Sequence, residues 1–214
     1  MDIVLDIETL GTRPGCDIIE IGACAVDPDA GAVVANFSRR LDEVFMRQDE
    51  EMTPDMDKTI AWWLGHETAA TYYTLIRRGT PGMFPRWGNR DPRVDLNAFC
   101  AWFKKQTDSC DPKRVRIWAN GPSFDIAILQ AAYDRYGVER PWICWQERCV
   151  RTALEQAAYE RGSVSWMEDG PRHRALNDAR HEARKLFYSG ALGTTSQVMR
   201  RLRQRGTVSA GEVF

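Results

Sequence analysis

No apolar run in this chain is long enough to cross a membrane, and its first residues carry acidic Asp2 with no basic region of the kind that opens a secretory signal. The expectation is a cytoplasmic protein with no membrane partner. A Cys-x-x-Cys pair is also missing. The six cysteines (Cys16, Cys24, Cys100, Cys110, Cys144 and Cys149) are scattered, which argues against a zinc site and a disulfide scaffold and for reduced thiols. Excess charge is lacking too, with 29 Lys and Arg against 30 Asp and Glu and a net charge of −1. A protein that holds long stretches of nucleic acid by neutralising phosphates is normally basic, so that class is excluded, whereas gripping a chain end over a few nucleotides needs far less charge. There is no internal repeat, low-complexity tract or linker. What is present, 214 residues with 43% hydrophobic content, can bury one sizeable core and predicts a single domain with embellishments.

Three apolar segments, Ile3 to Ile7, Ile18 to Val26 and Ala32 to Leu41, read as successive strands. They are broken by the turn-rich stretches Gly11 to Gly15 and Asp27 to Gly31, which suit antiparallel pairing. Helices follow, because Met56, Ile60, Trp63 and Leu64 share one stripe and Leu96, Phe99, Cys100 and Phe103 share another. A further apolar run, Val115 to Asn120, leads through Gly121-Pro122-Ser123 into a helix over Phe124 to Tyr136. The last predicted helix begins at Ala175 and runs to about Ser189. Ala191 to Phe214 reads as a short helix and a frayed tail.

The first strand ends in Asp6 and Glu8. Residues i and i+2 share a strand face, so the two carboxylates lie together, and like charges that close call for a proton or a hard divalent cation between them. Such pairs also occur as solvated residues on strand edges. Asp125 opens a helix on the face of Leu129 and Ala132 and should point inward; helix amides could satisfy it as a cap, or it could serve a metal. His173, one of only three histidines, precedes Asp178 by five residues at a loop-to-helix junction. Taken singly, His173 reads as a loop residue and Asp178 as a first-turn carboxylate favoured by the helix dipole.

Together, Asp6-Ile7-Glu8-Thr9-Leu10-Gly11, Asn120-Gly121-Pro122-Ser123-Phe124-Asp125 and His173-Arg174-Ala175-Leu176-Asn177-Asp178-Ala179 resemble, in order, the three motifs of the DEDDh 3′-to-5′ exonucleases. Ile18 to Ala23 resembles that family's second strand, so the likeness covers roughly residues 1 to 190. The segment Thr59 to Leu64 and the compact size look most similar to the phage and bacterial exonuclease and exoribonuclease branch. The resemblance implies an α/β, ribonuclease-H-like fold, a mixed five-stranded sheet flanked by helices. It also implies an exonuclease domain over 1–190, with 41–95 as a helical and loop embellishment and 191–214 as a C-terminal extension.

The chemistry implied by the resemblance is hydrolysis of single-stranded DNA or RNA from its 3′ end to nucleoside 5′-monophosphates, with two Mg²⁺ or Mn²⁺ ions. Asp6, Glu8 and Asp178 would hold the ion that carries the attacking water, Asp6 would be shared with a second ion supported by Asp125, and His173 would take the proton. Thr9 and Leu10 would contact the terminal nucleotide; Leu10 stands where many relatives carry a second Thr. Asn120 and Phe124 are further substrate-binding candidates from the second motif. Arg172 and Arg174 flank the proposed base and are the candidates for phosphate contacts among several basic clusters that otherwise read as solvated faces.

Trp63 lies on the apolar stripe of its helix and is read as core. Trp62, about 100° round, is read as a helix-packing or homodimer contact ahead of a base-stacking platform. The loop Gly79 to Arg93 is read as a subunit contact or surface loop ahead of a substrate guide. Two rivals stand beside the exonuclease. An aspartyl-phosphate phosphatase would need a second acid and a downstream lysine motif that the chain does not show. A silent binding module would be expected to have lost one of the five residues Asp6, Glu8, Asp125, His173 and Asp178. Nothing in the sequence separates DNA from RNA, since the 2′-hydroxyl contact is a matter of local geometry.

Overall fold

The computed structural model describes residues 1–40, 55–65, 91–161 and 173–192. β1 (Asp2–Thr9), β2 (Ile18–Asp27) and β3 (Ala32–Arg40) form the antiparallel half of the sheet; the β-branched, apolar sequences of β1 and β2 suit their buried position, and β3 is the more exposed edge strand. β4 (Arg116–Ala119) and β5 (Glu147–Cys149) add in parallel on the other side of β1. The order is β3-β2-β1-β4-β5, so the expected mixed five-stranded sheet is present, with β1 at its centre. The two parallel pairings need crossovers, and helices supply them. β5 had no signal in the sequence, because three residues with only partial burial are too few to show an alternating pattern.

α1 (Met56–Gly65), α2 (Pro92–Thr107), α3 (Asp125–Tyr136), α4 (Val150–Arg161) and α5 (Ala175–Tyr188) flank the sheet. α2 starts on an Asp91 side chain that accepts from the Arg93 amide and continues with Pro92, the residue suited to a first helical turn. α3 stops at Gly137, whose left-handed backbone closes the helix. The pattern of α4 was not legible in advance, although Val150, Ala153, Leu154 and Ala157 sit three or four apart along it on its more buried side. No helix among the described residues is long and apolar enough to cross a membrane.

Alternation along β1 divides the core. Ile3, Leu5 and Ile7 pack in a large cluster with Leu96, Phe99 and Phe103 of α2 and Ile126, Leu129 and Tyr133 of α3. Val4, on the opposite face, packs with Cys24, Val26, Val150 of α4 and Ala183 and Leu186 of α5. Asp6 and Glu8 share the face of Val4 and therefore meet α5. At the far end of that face Asp2, fully buried, accepts from Trp118 Nε1 at 2.6 Å and pairs with Arg116 at 2.6 Å, which commits one member of the basic cluster near β4 to the fold. Trp63, expected in the core, is 2% exposed.

Candidate active site

β1 carries the first two acids to the end of the sheet. Asp6 lies opposite Gly22 of β2, and Glu8 lies opposite Glu20, after which the pairing shifts at a bulge between Glu8 and Thr9. Gly22 decides what can sit above Asp6. A Cβ built there would fall 2.0 Å from the Leu176 amide nitrogen and 2.1 Å from the Ala175 carbonyl carbon, so the bare glycine lets the first turn of α5 rest directly on the sheet.

That contact sets the third motif. The His173 and Arg174 amides donate to Asp178 Oδ2 at 2.7 and 3.3 Å, folding the loop onto the helix start. His173 holds φ at 61°, the only left-handed non-glycine residue among those described. One ligand atom from each of Glu8, His173 and Asp178 lies within 4.8 Å of the others. Asp125, buried at the first position of α3, accepts from the Gly121 amide at 3.5 Å, and the Ile7 amide also reaches it, which ties the second motif to β1.

The clustered acids oppose one another's ionisation. Burial raises the Asp6 carboxyl well above its ordinary value, and Asp125, Glu8, Asp178 and Glu182 raise it further. Asp6 nonetheless keeps part of its surface open, at the mouth of the site. Glu8 is pushed up to about 9 by burial and then by Asp178, Glu20 and Asp125, with Arg174 acting in the opposite sense. Asp125 is raised to about 6 by burial, against the pull of the Gly121 and Ile7 amides and Arg151. Carboxylates that resist ionisation side by side are relieved by a proton or a cation. Their oxygens form a hard donor set that fits Mg²⁺ or Mn²⁺.

Glu20 and Glu182 escaped the sequence reading. The signal for Glu20 was its register opposite Glu8, which appears only once β1 and β2 are paired. Glu20 is 1% exposed and is compensated by Arg174 at 3.5 Å and Ser38 at 3.2 Å. Glu182 sits four residues after Asp178, and that helical spacing was available in the sequence.

A cavity of about 610 Å³ opens beside Glu8, lined among others by Thr9, Thr12, Lys58, Trp62, Trp63 and Phe124. Trp63 Nε1 donates to the Thr9 carbonyl at 3.0 Å, pinning α1 to the end of β1. Trp62 is 44% exposed and sets its ring edge-on to the His173 ring, with centroids 4.8 Å apart. The structure thus places Trp62 in the wall of this cavity and against His173.

The other sequence candidates are less evenly placed. Phe124 and Thr9 line the cavity, although the Thr9 hydroxyl donates to the Gly11 carbonyl at 2.6 Å. Leu10, 2% exposed, is absent from the lining, and its amide donates to the Asp17 carbonyl at 2.9 Å. Asn120 is exposed, and its carbonyl accepts from Arg151 Nε at 2.9 Å. Arg174 leans on Glu20. Arg172, His66 and nearly all of the Gly79 to Arg93 loop lie outside the described residues, as do 41–54 and 193–214.

A family model for the 3′-5′ exoribonuclease Rv2179c-like domain matches residues 1–189. Among solved structures, the nuclease domain of 3′hExo, a DEDDh family member bound to rAMP, aligns with a TM-score of 0.50 at 11% identity, covering 96% of this chain and 92% of that one. A full-length 3′-exonuclease aligns with a TM-score of 0.43 at 14% identity over 100% of this chain and 88% of its own. No curated protein matches. The first of these likenesses identifies the sheet and its flanking helices as ribonuclease-H-like.

Proposed function

The chain belongs to the 3′-5′ exoribonuclease Rv2179c-like domain family, and from that premise we propose that it removes nucleotides one at a time from the 3′ end of single-stranded nucleic acid, releasing nucleoside 5′-monophosphates. The observation that carries this reading is the convergence of Glu8, His173 and Asp178 to within 4.8 Å beside a cavity with an aromatic wall. RNA is the first polymer to test, given the family's description, with DNA as the alternative.

Asp6, Glu8, Asp125 and Asp178 would hold two divalent ions, Mg²⁺ or Mn²⁺; burial raises the carboxyls of Asp6, Glu8 and Asp125 above their ordinary range, a cost that such ions would relieve. When bound, such ions neutralise charge on the scissile phosphate, lower the pKa of a water and support the departing 3′ oxygen. His173 accepts the proton of the attacking water at an imidazole nitrogen, a role suited to a group that titrates near neutrality. Its backbone is fixed by Asp178 and its ring is flanked by Trp62 and Trp63, so the base is held in place before substrate arrives. Phe124 and Trp62 offer the terminal base apolar surface, Thr9 borders the sugar side, and Leu10 supports the strand end from below. Arg172, Arg174 and Asn120 remain the candidates for contacts to the next phosphates.

A digest of matched 5′-labelled RNA and DNA single strands with Mn²⁺ or Mg²⁺ tests the proposal. Release of 5′-monophosphates that stops with a chelator is the expected result. Intact strands under every metal condition would overturn it.

A further inference from the structure

Glu182 has a place that the four-carboxylate description leaves unexplained. It lies one turn beyond Asp178 on α5, on the side of the helix that the close approach at Gly22 brings down over Asp6. The residue is 5% exposed. Its Oε1 accepts from Lys185 Nζ at 2.9 Å, whereas its Oε2 is buried and has no hydrogen-bond partner among the described residues. A buried carboxylate oxygen without a donor is costly, and an ion is one of the few groups that repay that cost. The neighbouring buried acid Glu20 is different, since Ser38 and Arg174 both serve it.

We propose that Glu182 is a fifth carboxylate of the divalent-cation site, contributing Oε2 to the holding of the cation beside Asp6, while Lys185 balances the added charge through Oε1. Five acids around two divalent ions leave one surplus negative charge, and Lys185 offsets it. The proposal rests on the metal-site reading above and adds a member to that site.

The test is Mn²⁺ titration of the whole protein without substrate, by calorimetry and by loss of the free-ion electron paramagnetic resonance signal, for the parent and for Glu182→Gln. Glutamine keeps the shape and removes the charge. The expected result is a Mn²⁺ affinity lowered about 10- to 100-fold for at least one ion, the range for lost supporting groups at metal sites, with ion-free thermal stability equal to or above the parent's. Unchanged affinity and stoichiometry, with or without a lower melting temperature, would show a purely structural glutamate and overturn the proposal. If Glu182→Gln fails to fold, Glu182→Asp, which withdraws the oxygen by one methylene, gives the same reading: weaker Mn²⁺ binding supports the assignment and parental binding overturns it. A parent that takes up no Mn²⁺ would sink the metal site as a whole, whereas a parent that binds and a variant that binds equally would sink only the role of Glu182.

Discussion

Burial and four other acids, Asp125, Glu8, Asp178 and Glu182, all oppose the ionisation of Asp6. Asp6→Asn should therefore abolish turnover and leave the ion-free fold as stable as the parent or more so, read by mononucleotide release and by thermal melting with a chelator. Turnover within a few fold of the parent would contradict the shared-ligand role. The same opposition sets a pH dependence. Glu8 is raised from 4.5 to about 9 and Asp125 from 3.8 to about 6, so the folded state binds their protons more tightly than the unfolded chain does. Stability from these groups is then complete below the ordinary carboxylate values and is lost as pH rises through 6 and on to about 9. With a chelator the melting temperature should fall across that window, and Mn²⁺ should remove much of the fall. A flat profile with chelator would count against the clustered acids.

His173 needs a variant chosen for its backbone. At φ 61° an alanine would be strained, whereas asparagine tolerates the left-handed region. His173→Asn should lower the rate by about 10²- to 10⁴-fold, the range for loss of a general base, with Mn²⁺ affinity changed far less. His181 is 4% exposed on α5, so its replacement should read out in stability.

Among the elements, the seating of α5 on β1 and β2 holds the first and third motifs together. Gly22→Ala puts a Cβ into the backbone of Ala175 and Leu176, which cannot yield as a flexible side chain would. A loss of about 1–3 kcal/mol or more in urea unfolding is expected, with weaker Mn²⁺ binding as Asp178 moves away from Glu8. Parental stability and affinity together would show that the close approach is unimportant. The sequence announced α5, β1 and the alternation that pairs Asp6 with Glu8, because those signals are local and periodic. It did not announce Gly22 as the seat of α5, Glu20 opposite Glu8 or Trp62 against His173, because each depends on which strands pair and where a helix lands. Leu10 follows the bulge after Glu8 and is buried, its amide bonded to the Asp17 carbonyl, a placement that likewise depends on how the strands pair.

At the scale of the whole molecule, a net charge of −1 suits the proposed grip on a chain terminus better than it suits neutralisation of a long stretch of phosphates. A duplex end must be opened by about two base pairs to reach such a site, at a stacking cost of about 1.4 kcal/mol per step, so single strands and 3′ overhangs should be degraded well before blunt duplexes. The most direct test of the central claim compares, in the presence of Mn²⁺, a 5′-labelled linear single strand with the same strand circularised so that its label is internal. The account predicts ladders that shorten from the 3′ end of the linear strand and an intact circle. Cutting of the circle, or immediate release of the 5′-terminal label as mononucleotide, would contradict it.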